Sequence, residues 1–108
     1  MKRGELWVAA GPGYLSKPRP VLILQDDRYG QTASVTVAPL TSERVDAPLW
    51  RVEIGATPTS GLDRASYVRI DKVTTTRRSH LAQPIGQVTP AQLRDVERLL
   101  LAFLGLAS

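Results

Sequence analysis

Two apolar runs with polar chemistry at one end frame this chain. Arg19-Pro20-Val21-Leu22-Ile23-Leu24-Gln25 opens on a guanidinium, and Val35-Thr36-Val37-Ala38-Pro39-Leu40-Thr41-Ser42 closes on two hydroxyls. Val21 to Leu24 is apolar without alternation, which predicts a strand covered on both faces. Pro20 has no amide to give to a ladder, so Arg19 is expected at a strand entrance. Asp26 to Gln31 reads as a turn in which Gly30 supplies a positive φ. Ala33 to Leu40 then returns as a strand, with Pro39 marking its far end as an edge or bulge. Before this pair, Arg3 to Ala9 predicts a strand with Leu6 and Val8 on one face and Glu5 and Trp7 on the other. After it, Leu49 to Ile54 alternates with Trp50, Val52 and Ile54 inward, and Ser66 to Ile70 alternates again. Thr74 to Ser79 is polar and basic and reads as one helical turn, and Ile85 to Val88 as a short last strand.

The helix pattern is confined to the end of the chain. Thr89-Pro90-Ala91-Gln92 fits a capping box with Pro at the first helical position, and Gly105 is a natural stop. Leu93, Val96, Leu100, Phe103 and Leu104 make one stripe at helical spacing. Leu99, Leu101 and Leu106 widen it beyond what one small sheet covers, so the face is core or a subunit interface. The layout is mainly β with a C-terminal α-helix: five to seven short antiparallel strands in a small twisted barrel.

Length and composition narrow the chemistry. A chain of 108 residues is expected to form one domain, 1–108, and 43% hydrophobic with 22% charged residues is ordinary for a folded chain. There is no cysteine and one histidine, His80, so disulfides, thiolate metal sites and the usual zinc sets are out of reach. The apolar stretch Leu6 to Ala10 is too short for a signal peptide, and Leu99 to Leu104 falls far below the roughly 20 residues of a membrane span. A cytoplasmic location without a membrane partner is the expectation. The net charge of +4 favours an anionic partner, and Arg64, Arg69, Lys72, Arg77 and Arg78 form a basic stripe broken only by Asp71.

If the two framing strands pair antiparallel, Arg19 lies beside Thr41 and Ser42 at one rim of the sheet. A fixed cation next to a hydroxyl is a place to hold a phosphodiester. The loop before Arg19 carries Tyr14, Ser16 and Lys17, and Lys72 in the basic stripe is a further phosphate or base contact. Taken alone, Arg19 reads as a solvated strand-end cation, Thr41 as a turn hydroxyl and Lys72 as a surface lysine. His80 follows Arg77-Arg78-Ser79 and reads as a surface turn residue rather than half of an acid–base pair.

The ordered set of segments resembles the MazF/PemK toxins of bacterial toxin–antitoxin systems. It comprises Arg3-Gly4-Glu5-Leu6-Trp7, Arg19-Pro20-Val21-Leu22, Val37 to Ser42, Gly61-Leu62-Asp63, Lys72-Val73-Thr74-Thr75, and Ile85 to Pro90 with its helix. The likeness covers essentially the whole chain. It implies a homodimeric SH3-like, CcdB/PemK-type barrel that cuts single-stranded RNA (mRNA, with tRNA and rRNA as further candidates) without metal or other cofactor. It also implies 2′,3′-cyclic phosphate and 5′-hydroxyl ends, a cognate acidic antitoxin, and a catalytic pair at Arg19 and Thr41. The RNA contacts it implies or allows are Tyr14, Ser16, Lys17, Ser42 and Lys72. The sequence departs from that pattern in three places. The Gly11 to Pro18 loop lacks the acid many relatives carry, with Ser16 standing in for their serine; Asp26 replaces a common Asn; and Lys72 replaces a common Gln. The proton-transfer partner is therefore open, and a different base preference is expected. Two competing classes remain: a non-catalytic SH3-like binding module, and a gyrase-poison toxin of the same fold. The latter typically ends on a Trp-rich tail, where this chain ends Gly105-Leu106-Ala107-Ser108.

Overall fold

The computed structural model describes residues 1–12, 17–44 and 50–107. Among the described residues seven strands precede one helix: β1 (Glu5–Ala9), β2 (Arg19–Ile23), β3 (Ser34–Thr41), β4 (Arg51–Ile54), β5 (Ser66–Arg69), β6 (Thr74–Arg77), β7 (Leu81–Gln87) and α1 (Pro90–Phe103). Every pairing is antiparallel, in the order β4-β5-β3-β2-β1-β7, with β6 also on β3. β3 is the organising strand. One side pairs with β2; the other pairs with β6 along Ser34–Val37 and with β5 at Leu40 and Thr41.

Pro39 is neither an edge nor a bulge residue, as its ring had implied. It falls between the stretch of β3 that meets β6 and the stretch that meets β5, where a missing amide breaks no ladder bond. β2 is buried on both faces at Val21, Leu22 and Ile23, as its unbroken apolar run predicts. Leu6, Leu22, Ala38 and Leu40 point to the larger cluster, closed by Val52, Ile54, Val68, Ile70 and by Val96 of α1. Ala9, Val21, Ile23, Val35, Val37 and Leu81 fill the other face.

The expected barrel does not close. Among the described residues β4 pairs only with β5, and β7 only with β1. A loop bridges the gap instead: the Gln87 amide donates to the Thr59 carbonyl at 3.0 Å. Gly86 and Gly61 permit this approach, since a Cβ on Gly86 would lie 2.2 Å from the Ser60 carbonyl oxygen, and one on Gly61 1.7 Å from that of Ile85. Ser60, 3% exposed, ties the loop together.

Three local expectations change. Thr74 to Arg77 is a strand rather than a helical turn, because the free edge of β3 needs a partner and β-branched threonines suit one; a short 3₁₀ turn follows at Arg78–His80. β7 is longer than Ile85 to Val88 and accommodates Pro84 as an edge strand with irregular register against β1. Gly30 sits at φ −72°, so its turn is an ordinary one capped by Asp26. Leu6 and Val8 share a face as expected, with Val8 half-buried, and Trp50 packs against the core from just before β4, its ring centroid 6.3 Å from that of Phe103. The helix forms as its cap predicts: Gln92 N–H donates to Thr89 Oγ1 at 3.1 Å, Thr89 N–H to Gln92 Oε1 at 2.8 Å, and Gly105 turns at φ +74°.

Candidate active-site cleft

The β2–β3 register pairs Val21 with Pro39. Arg19 and Thr41 each lie two residues beyond that pair, the spacing that keeps a strand residue on the same face as Val21 and Pro39. Both line a cleft of about 830 Å³ at the strand ends, together with Lys17 and Ser42. Four of the seven residues singled out from sequence are therefore gathered in one place. Tyr14 and Ser16 lie outside the described residues. Lys72 is not brought to this cleft; the 3₁₀ turn at Ile70–Lys72 carries it to a separate hollow that it shares with Val21 and Pro39.

The chain at Thr41 is held by its own hydroxyl. Glu43 N–H donates to Thr41 Oγ1 at 3.1 Å, a local turn that leaves the hydroxyl proton free to point outward. That turn also presents the exposed Glu43 carboxylate at the cleft. The opposite wall is the segment Gly61–Arg64, which brings Asp63 and Arg64.

Arg69 completes the cationic lining. It stands directly across from Arg51 on β4, an arrangement of like charges that destabilises a sheet unless one is neutralised. Asp71 neutralises Arg51 through a largely buried ion pair, leaving the charge of Arg69 to the cleft. The Arg69 Nε is buried and meets no hydrogen-bond partner among the described residues. Lys17, Arg19, Arg64 and Arg69 thus outnumber Glu43 and Asp63 around one opening. Among the described residues no group of three or more His, Asp or Glu side chains could hold a metal ion.

Glu43, Asp63, Arg64 and Arg69 were not singled out from sequence. The Gly61-Leu62-Asp63 turn was visible as a motif, and Arg64 and Arg69 as part of the basic stripe. Their convergence depends on β5 crossing to β3, which no local pattern announces.

The fold and cleft define a small antiparallel β-protein whose cationic, hydroxyl-bearing opening suits an anionic phosphate ester. Residues 2–104 match the family described as PemK-like, MazF-like toxin of type II toxin–antitoxin system. A probable endoribonuclease MazF of Mycolicibacterium smegmatis is 50% identical over 108 residues, covering 99% of both chains. The Mycobacterium tuberculosis toxin MazF-mt6 superposes with a TM-score of 0.82 at 27% identity, over 96% of this chain and 99% of that one. A mycobacterial endoribonuclease solved with its cognate antitoxin gives 0.79 at 28% identity, over 100% and 98%. The chain belongs to the PemK/MazF family of toxins.

Proposed function

We propose that this chain is an endoribonuclease toxin that cuts single-stranded RNA at a phosphodiester held between Arg19 and Thr41. What supports the reading is that this cation and this hydroxyl both line one cationic cleft at the ends of two paired strands. In this reading the ribose 2′-oxygen attacks the adjacent phosphorus, forming the O2′–P bond as the P–O5′ bond breaks. The products are a 2′,3′-cyclic phosphate and a 5′-hydroxyl.

Arg19 stays protonated and meets the negative charge that builds on the phosphoryl oxygens, a contribution typically of about 10²–10³ in rate. Thr41 donates its free hydroxyl proton to the same phosphate, and aligning the 2′-oxygen in line supplies much of the remainder. The family's loop acid is missing, and Glu43, whose backbone is tied to Thr41, is the cleft carboxylate we assign to accept the 2′-hydroxyl proton and return it to the leaving 5′-oxygen. Arg64 and Arg69 extend the cationic wall for flanking phosphates, with Lys17 and Ser42 at the rim.

The whole of 1–108 acts as one toxin domain in the cytoplasm, where its RNA is. Among the described residues no helix is long and apolar enough to cross a membrane. An acidic antitoxin covering the cationic cleft is the counterpart implied by the family and by the antitoxin-bound relative. The exposed Leu101, Phe103 and Leu104 of the helix end support a homodimer. The test is a defined single-stranded RNA incubated with the protein in EDTA. Fragments ending in 2′,3′-cyclic phosphate and 5′-hydroxyl are expected; intact RNA, or 5′-phosphate ends, would overturn the mechanism.

A further inference from the structure

A second hollow of about 490 Å³ opens on the sheet face that carries Arg19 and Thr41. Its floor is Ala9, Val21, Val37 and Pro39, and its sides include Thr74, Thr76, Arg77 and His80. Directly paired residues share a face, and Val37 pairs with Thr74 while Val35 pairs with Thr76, so both threonine side chains stand on that face. Val21 and Pro39 form the rung next to Arg19 and Thr41. The hollow therefore begins about 7 Å along the strands from the proposed reacting pair.

Thr76 is the unusual member. It is 8% exposed, and its Oγ1 is buried with no hydrogen-bond partner among the described residues. A buried hydroxyl without a partner is costly and rare, and a wholly structural position would be filled better by valine. Thr76 is one of the residues lining the hollow, so a group seated there meets its side chain.

We propose that this hollow receives the unpaired base of a nucleotide flanking the cleaved linkage, and that Thr76 reads the edge of that base. A nucleobase matches the lining: its flat faces lie on the apolar floor, its polar edge satisfies the Thr76 hydroxyl, and the exposed Arg77 and Lys72 meet the strand's phosphates. An aliphatic side chain of a protein partner would leave that hydroxyl unsatisfied. The inference rests on the nuclease reading above and assigns this hollow to sequence preference rather than to the chemical step.

Thr76→Val removes the hydroxyl at nearly constant volume. Cut sites mapped on a randomised RNA pool are expected to lose discrimination about 3- to 10-fold at one flanking position, with preferences elsewhere kept. The melting temperature should not fall, and Thr76→Ser should restore the preference. Unchanged preference at every position would overturn the inference and leave the nuclease reading standing. So would unchanged cutting with weakened antitoxin binding, which would make the hollow a protein site. If the wild type cuts nothing, the nuclease reading fails by itself. The hollow is then judged by the affinity of a 2′-deoxy-substituted oligonucleotide: a loss in Thr76→Val supports base binding, and no change refutes it.

Discussion

Ser60→Ala tests how the cleft wall is held. The Ser60 Oγ donates to the Gly55 carbonyl at 2.7 Å and accepts from Thr57 N–H at 3.1 Å and Leu62 N–H at 3.3 Å. Alanine deletes these bonds and supplies no replacement, in a residue 3% exposed. At about 1 kcal/mol for each bond lost, and more where a buried amide stays unmet, the cost is roughly 2–4 kcal/mol. For a chain of this size that corresponds to a fall in melting temperature on the order of 10 °C. Leu62, two residues on, packs against the core, and Gly61, Leu62, Asp63 and Arg64 line the cleft with Arg19 and Thr41. Thermal and urea unfolding measure the stability, and KM for RNA is expected to rise below the transition, where the protein is still folded. A shift under about 2 °C with unchanged KM would refute the view that one buried hydroxyl organises this wall.

Other substitutions probe separate links. Gly86→Ala drives a Cβ to 2.2 Å from the Ser60 carbonyl oxygen and is expected to cost at least about 2 kcal/mol in urea unfolding, whereas Gly55→Ala, whose nearest neighbour is Thr57 Cγ2 at 3.8 Å, should be tolerated. Asp71→Asn leaves the Arg51 charge buried and facing Arg69, and should destabilise by about 3 kcal/mol by the same measurement. Burial of the Glu5 carboxyl opposes its charge. The Lys2 amide at 2.6 Å and the Trp7 indole N–H at 3.1 Å outweigh that effect and, with the Met1 ammonium, hold its pKa below the ordinary 4.5. Its contribution is therefore complete above the unfolded pKa and is lost as pH falls through the lower folded value. The stability gap between wild type and Glu5→Gln, followed by denaturant titration, should shrink from about pH 5 downward.

The framing strands were legible because their signals are local. Val21 to Ile23 is apolar on both faces, Arg19 precedes a proline, and Thr89 with Gln92 spells a helix cap. β6 was not legible, since Thr74-Thr75-Thr76-Arg77 has no apolar alternation and becomes a strand only because β3 offers it an edge. That Lys72 reaches the second hollow rather than the Arg19 cleft has the same kind of cause: the turn at Ile70–Lys72 redirects the chain from β5 to β6 and carries the lysine there. Glu43 and Arg69 reach the cleft through, respectively, a turn closed by a hydroxyl and a cross-strand charge balance. Both are tertiary consequences with no periodic signature.

The most direct measurement of the central claim is a double-substitution cycle on single-turnover RNA cleavage, using Arg19→Ala, Thr41→Val and the combined variant. If both side chains act on one phosphodiester, each single change slows cleavage by about 10²–10³, and the combined variant is hardly slower than the worse single one. Multiplicative losses, or a Thr41→Val enzyme cutting at the wild-type rate, would contradict it.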